Sequence, residues 1–194
     1  MSTGQRRESG RERVIRTAYD LFSRRGVRAV GIDTIIAEAD VAKMTLYRNF
    51  PSKDALILAF LQRREERWVH EWLLAEIRQR ESAPGRRLLA IFDVFAEWFA
   101  RSDYAGCPFV TTLLEIDDPD SPVRKASAAH MANIRNLLGD LAAEAGIGDT
   151  DRFARQWHIL MKGSIVAAQE GDQGAAGRAR EMGGLLLRSH GVPT

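Results

Sequence analysis

The chain has 194 residues, 45% of them apolar and 28% charged, a balance that fits a folded globular protein and excludes a disordered one. A single cysteine excludes an internal disulfide framework, and no apolar run reaches the roughly 20 residues of a membrane helix. The formal net charge of +2 is unevenly spread: residues 1–53 carry +5 and residues 54–194 carry −3.

In chain order, the first residues place Arg6 and Arg7 with no apolar stretch behind them. No signal peptide is read there, and a cytoplasmic location is expected. Residues 11–25 carry Val14, Ile15, Ala18, Leu21 and Phe22 on one helical stripe, stopped by Gly26. A second short stripe follows with Ile32, Ile35, Ile36 and Ala39, then a third helix over about 42–49 around Leu46. Ser52 is read as the cap of a long fourth helix to about residue 80, through Leu56, Phe60, Trp68 and Trp72. After Pro84-Gly85 a fifth helix is apolar on most sides, which places it in a core. Cys107-Pro108 open a short helix to about residue 116. Ser121 caps and Pro122 starts the next helix, which ends near Gly146. Asp149 or Thr150 caps the eighth, and a last helix holds Ala179, Met182, Leu185 and Leu186. Strand signals are almost absent, so the chain is predicted to be all-α, with about nine helices.

Two short helices joined at Asp40-Val41 cannot pack antiparallel, and the tight turn forces a sharp crossing. That is a helix-turn-helix. The second of them has a polar face of Lys43, Thr45, Tyr47, Arg48 and Asn49, which suits a DNA major groove. Lysine can donate to phosphate or guanine, threonine offers a hydroxyl and a methyl, and tyrosine and asparagine can reach phosphates. Taken singly, each is also an ordinary exposed polar residue; their joint placement beside a basic segment favours nucleic acid.

The run from Val41 through Leu-Tyr-Arg-Asn-Phe-Pro-Ser-Lys to Leu56 resembles the signature of TetR-family transcriptional regulators. The resemblance spans about residues 11–60. It implies an N-terminal DNA-binding helix-turn-helix domain with a basic arm, residues 1–53, and a larger ligand-binding and dimerisation domain, residues 54–194. It places Thr34 at a DNA contact of the second helix, Lys43, Met44 and Thr45 at recognition positions, and Tyr47, Asn49 and Lys53 at phosphates. Arg48 joins them on the same face. Three positions depart from the family pattern: Asp40 stands where glycine is usual, Met44 where a small residue is common, and Ala42 lacks a capping hydroxyl. The implied partners are a double-stranded DNA operator, a second copy of the chain and a small apolar or aromatic effector, with no membrane and no cofactor.

In the rear domain the aromatics are dense. The expected ligand pocket takes in Trp68, Trp72, Phe92, Phe95, Trp98, Phe99, Cys107, Phe109, His130, Met131, Trp157 and Met161, with His158 close by. Aromatic stripes at helical spacing also make plain core, and a lone cysteine is most often a small buried hydrophobe. The resemblance implies a dimer interface on the last two helices, at Leu160, Gly163, Ile165, Ala168, Leu185 and Leu186, with Gly183 and Gly184 allowing close approach. The same stripe can instead pack inside its own chain.

Rival readings are few. The chain has no phosphate-binding glycine loop, metal-ligand spacing or nucleophile elbow, so no catalytic or metal residue is assigned and an enzyme is not expected. A helical ligand receptor of the same fold that no longer binds DNA remains the alternative.

Overall fold

The computed structural model describes residues 8–193; the basic arm expected ahead of the first helix, with Arg6 and Arg7, lies outside them. Among the described residues every regular element is helical. A head is formed by α1 (Gly10–Arg25), α2 (Ile32–Ala39) and α3 (Lys43–Asn49). It is joined to the body by α4 (Lys53–Glu65), which continues through a π-helical stretch (Glu66–Leu73) into α5 (Leu74–Arg80). The body adds α6 (Pro84–Phe99), α7 (Pro108–Glu115), α8 (Pro122–Glu144), α9 (Thr150–Gln169) and α10 (Ala175–Ser189).

The expected fourth helix is present as a single rod, because the backbone stays right-handed helical across both junctions. Counted once, it brings the described helices to nine, as the periodicity predicts. Its middle, however, is wound as a π-helix, with i→i+5 bonds that widen the turn. That widened stretch carries Trp68 and Trp72, whose ring centroids lie 5.5 Å apart.

Helix starts follow from local chemistry. Ser9, Ser52, Ser121 and Asp149 each accept a hydrogen bond from the backbone N–H three residues on, at 3.2, 3.1, 3.4 and 3.2 Å. Each satisfies an N–H that the helix itself cannot. Asp149, rather than Thr150, is therefore the cap of α9. Pro84, Pro108 and Pro122 open α6, α7 and α8, where a missing N–H costs nothing.

Two apolar clusters hold the molecule. One fills the body, around Phe92, Phe95, Phe153 and Trp157. The other fills the head, around Val14, Phe22, Ile35 and Leu46, but extends into Phe60 and Leu61 of α4 and Phe109, Val123 and Met131 of the body. Head and body thus share buried surface beyond residue 53. In the body, Gly183 lets α10 approach closely: a Cβ there would come within 2.8 Å of the Trp157 ring. Gly183 and Gly184 are both buried within their own chain.

Candidate DNA-recognition face, ligand chamber and pairing face

The turn between α2 and α3 is set by Asp40, which caps α2 in the left-handed conformation, φ 49° and ψ 57°. Aspartate tolerates this region better than most residues but less well than glycine. The turn is held from outside by a residue that the periodicity gives no reason to single out. Arg13, on α1, donates from Nε to the Ala39 carbonyl at 3.3 Å and from Nη2 to the Asp40 carbonyl at 3.2 Å. A cation at the end of α2 also opposes the negative end of its dipole. Leu46 and Ile35, both fully buried, seat α3 and α2 on the α1 stripe.

Part of the expected face remains outward on α3. Lys43, Met44, Tyr47 and Arg48 are exposed, as is Thr34 on α2. Met44 is 77% exposed, an apolar side chain standing in solvent. Lys43 lies 3.9 Å from Asp33, a surface pair that holds it only weakly. Thr45 and Asn49 are half-buried. The Thr45 methyl packs against Gly10, where even an added Cβ would come within 2.7 Å of it. That methyl is therefore taken up by α1, leaving the hydroxyl for outward-facing chemistry. Asn49 donates from Nδ2 to its own helix at the Thr45 carbonyl, 2.7 Å. Lys53 is half-buried beside the head and donates to the Arg28 carbonyl at 3.4 Å; burial lowers its pKa, against the pull of Glu115 and Asp54.

The body contains a small chamber of about 30 Å³. Eight of the expected residues line it: Trp68, Phe95, Trp98, Cys107, Phe109, His130, Met131 and Met161, and His158 joins them. Trp72 stands outside, in an adjoining cleft that shares Trp68 and Trp98. Phe92 and Trp157 are spent on the core, where Trp157 is completely buried between Phe92 and Phe153. Phe99 packs on Trp98 and Tyr104 and lines neither space. Burial holds the Cys107 thiol above its usual pKa, so it stays protonated.

Both chamber histidines are buried. His158 is pushed down to about 3, by burial and then by the nearby Lys162 and Arg135. His130 stacks flat on Phe109, with centroids 3.4 Å apart. Its Nδ1 lies 3.3 Å from a Glu65 carboxylate oxygen but is not aimed along a hydrogen bond. Burial lowers its pKa, opposed by Glu65. Arg64, on the chamber wall, is a residue that helical spacing gives no reason to pick. Among the described residues no group of three or more histidine, cysteine, aspartate and glutamate residues is placed to hold a metal, and no helix is long and apolar enough to cross a membrane.

On the far side of α9 and α10 the exposed apolar residues are Ile159, Val166, Met182 and Leu185. Ile159, Gly163 and Val166 fall on one helical stripe, and nothing lies within 4 Å of a Cβ built on Gly163. Of the residues expected to pair, Gly163 and Leu185 are exposed, and Leu160, Ala168 and Leu186 are half-buried. Ile165 is buried and lines the chamber. It points inward because it sits one position round the helix from Val166.

A three-helix head presenting a polar second helix, on an all-helical body with an internal chamber, defines a helix-turn-helix transcriptional regulator. Known proteins agree with that class. Residues 14–60 match the family model "Bacterial regulatory proteins, tetR family", and residues 84–182 match "Tetracyclin repressor-like, C-terminal domain". A TetR-family transcriptional regulator from Streptomyces coelicolor is 30% identical, with TM-score 0.85 over 93% of this chain and 89% of that one. One from Streptomyces avermitilis is 25% identical, with TM-score 0.84 over 95% of this chain and 100% of that one. The transcriptional repressor NemR of Escherichia coli is 27% identical over 117 residues, 60% of this chain and 58% of NemR. The chain belongs to the TetR family and is a DNA-binding transcriptional regulator.

Proposed function

We propose that the protein is a repressor that grips its operator as a two-fold homodimer and is released by a small apolar or aromatic effector. The observation that carries this reading is the clamped helix-turn-helix. Arg13 holds the turn, the Leu46 side of α3 is buried, and Lys43, Met44, Tyr47 and Arg48 face outward. In this reading residues 1–53 read DNA, and residues 54–194 bind the effector and pair. Lys43, Met44 and the Thr45 hydroxyl address base edges, Met44 through an apolar contact with a thymine methyl. Thr34, Tyr47, Arg48, Asn49 and Lys53 address the phosphates that set register. Pairing through Ile159, Gly163, Val166, Met182 and Leu185 spaces two recognition helices for two half-sites. The name of NemR, a repressor, supports repression here.

An effector can release DNA only if it binds one arrangement of head and body better than the other. The π-wound rod touches both, since α4 packs on the head and the π stretch lines the chamber, and α7 and α8 do so as well through Phe109 and Met131. The test is selection of bound duplexes from a random DNA pool by the purified protein. The expected result is a palindromic site with half-sites one helical turn apart, or a multiple of it. Recovery of no enriched sequence at low salt would sink the reading.

A further inference from the structure

Outside the chamber, a cleft of about 190 Å³ runs along the seam between head and body. That is more than ten times the roughly 10–15 Å³ that one water needs. Its head side is Tyr19 and Ser23 of α1; its body side comes from the rod, the end of α6 and the segment leading into α7. Three arginines line it, Arg64, Arg67 and Arg101, against one carboxylate, Asp103. Arg101 already holds Asp103 by two bonds, at 2.8 and 2.9 Å. Among the described residues Arg64 and Arg67 make no ion pair within 4 Å, which leaves the lining with two uncompensated positive charges. Arg67 also borders a groove that holds Glu12, Glu66 and Glu71, but Glu12 is taken by Arg63 at 2.6 Å and no acid of that groove pairs with Arg67. The two unpaired cations are gathered round one ring: the guanidinium carbons of Arg64 and Arg67 lie 5.9 and 6.0 Å from the Tyr19 centroid. Arg64 is held there by donating from Nη1 to the Tyr19 hydroxyl at 2.9 Å. The rest of the wall is Trp68, Trp72 and Trp98. Trp68 packs on the other two, with centroids 5.5 and 4.9 Å away, so the rings offer one apolar surface and no slot between them. Two lining residues also carry buried polar atoms with no hydrogen-bond partner within the protein, Ser23 Oγ and Trp68 Nε1, both able to donate.

We propose that this cleft binds a small organic dianion, a dicarboxylate in chemical class. Two unpaired guanidiniums call for two negative charges, and each presents a planar fork that matches a carboxylate. Arg64 uses one of its five donors on Tyr19, so the others are left for the ligand. The tryptophan wall takes the carbon chain between the carboxylates, apolar surface that a bare inorganic ion would leave uncovered. A ligand seated there touches α1 of the head and the rod of the body at once, so its binding depends on how the two are arranged.

The test is a titration of the full-length protein at fixed ionic strength, read by the emission of the cleft tryptophans. The probes are glutarate, its monoamide and its diamide, which have nearly the same shape and carry two, one and no charges, and inorganic phosphate. Glutarate is expected to bind about tenfold tighter than the diamide, with the monoamide between them. The gap should shrink as salt rises. Arg67 and Asp103 line the cleft and not the chamber, and both are exposed, so substitutions there locate the site without disturbing the core. Arg67→Gln should weaken glutarate severalfold and leave the diamide unchanged. Asp103→Asn, which removes the cleft's carboxylate and releases Arg101, should tighten glutarate. Equal affinity for glutarate and its two amides in the unaltered protein would overturn the proposal whether or not any variant folds, as would failure of glutarate to bind at millimolar concentration. Glutarate affinity unmoved by both substitutions would put the anion outside the cleft and overturn it as well. Phosphate binding as tightly as glutarate would overturn the dicarboxylate class. Because the titration contains no DNA, none of these results bears on the repressor reading, which the duplex selection decides by itself.

Discussion

The Glu115 carboxylate, at the end of α7, accepts the backbone N–H groups of Val27 at 3.0 Å and Arg28 at 3.1 Å, 88 and 87 residues earlier in the chain. A body residue thereby holds the loop that joins α1 to α2 in the head. Gly26 makes this approach possible: its φ is 78°, and any Cβ there would come within 2.2 Å of Glu115 Oε1. Arg124 of α8 fixes the same end of α7 by donating to the carbonyls of Leu113 and Ile116. Glu115→Ala is expected to cost about 1–3 kcal/mol, since two backbone donors lose a charged acceptor. Denaturant unfolding measures the loss, and hydrogen exchange should quicken at the Val27 and Arg28 amides before the rest of α1. Unchanged exchange there would mean that Glu115 does not hold the head.

Asp40 offers a stabilising substitution. Asp40→Gly removes the strain of a left-handed residue and a negative charge at a helix C-terminus, where the dipole disfavours it. A gain of about 0.5–1 kcal/mol is expected. DNA affinity should rise as well, because a carboxylate leaves the DNA-facing side. Asp40→Val should destabilise instead, since a β-branched residue tolerates positive φ poorly. Thermal unfolding and a duplex titration check both.

The α3 assignments separate by kind of effect. Tyr47→Phe with Lys53→Gln should weaken binding to all duplexes and flatten the salt dependence, by about 0.9 in slope for each phosphate no longer neutralised. Lys43→Gln or Met44→Ala should change which half-site is preferred, by about 1–3 kcal/mol at the affected base pair. Selection experiments with each variant measure this. A shift of preference in the first pair and none in the second would reverse the assignments.

The buried histidine gives the protein an acid liability. Folded, His158 is held near 3 by burial and by Lys162 and Arg135; its ordinary value is 6.5. Below that ordinary value the unfolded chain takes up a proton that the folded protein refuses. Stability is therefore full above about 6.5 and falls as pH drops toward 3, with a loss of about 2 kcal/mol from this residue at pH 5. His130, shifted the same way, adds to the slope. Urea unfolding at pH 7 and pH 5 should show the difference, and His158→Gln should reduce it.

The outer face of α9 and α10 predicts the assembly. Ile159 is 63% exposed and Leu185 62% exposed, and a Cβ on Gly163, one turn from Ile159, would meet nothing within 4 Å. Ile159→Glu with Leu185→Glu should give a folded monomer by light scattering, because neither side chain supports its own chain's core. Operator affinity should fall sharply, as one half-site alone remains bound. A dimer that survives both charges would place the interface elsewhere.

The helices, most of their caps and the outward polar residues of α3 are legible in the amino-acid order alone. These are local properties: a 3.6-residue stripe, a serine three residues ahead of an N–H, a turn too short for antiparallel packing. Ser52, Ser121 and Pro122 occupy the positions that pattern predicts, and the outward residues of α3 are those its buried Leu46 leaves over. Periodicity also names apolar helix faces, but it does not say what each face meets. The aromatics of α6 and α9 thus divide only in three dimensions, with Phe95, Trp98 and Met161 going to the chamber and Phe92 and Trp157 to the core. Gly183, small and near the pairing helices, is required by the Trp157 ring of its own chain. Arg13, Arg64 and Glu115 could not be picked from the sequence, because each acts on a backbone or side-chain group 26 to 88 residues away. Long-range polar contacts leave no periodic trace, and packing alone brings those partners within reach.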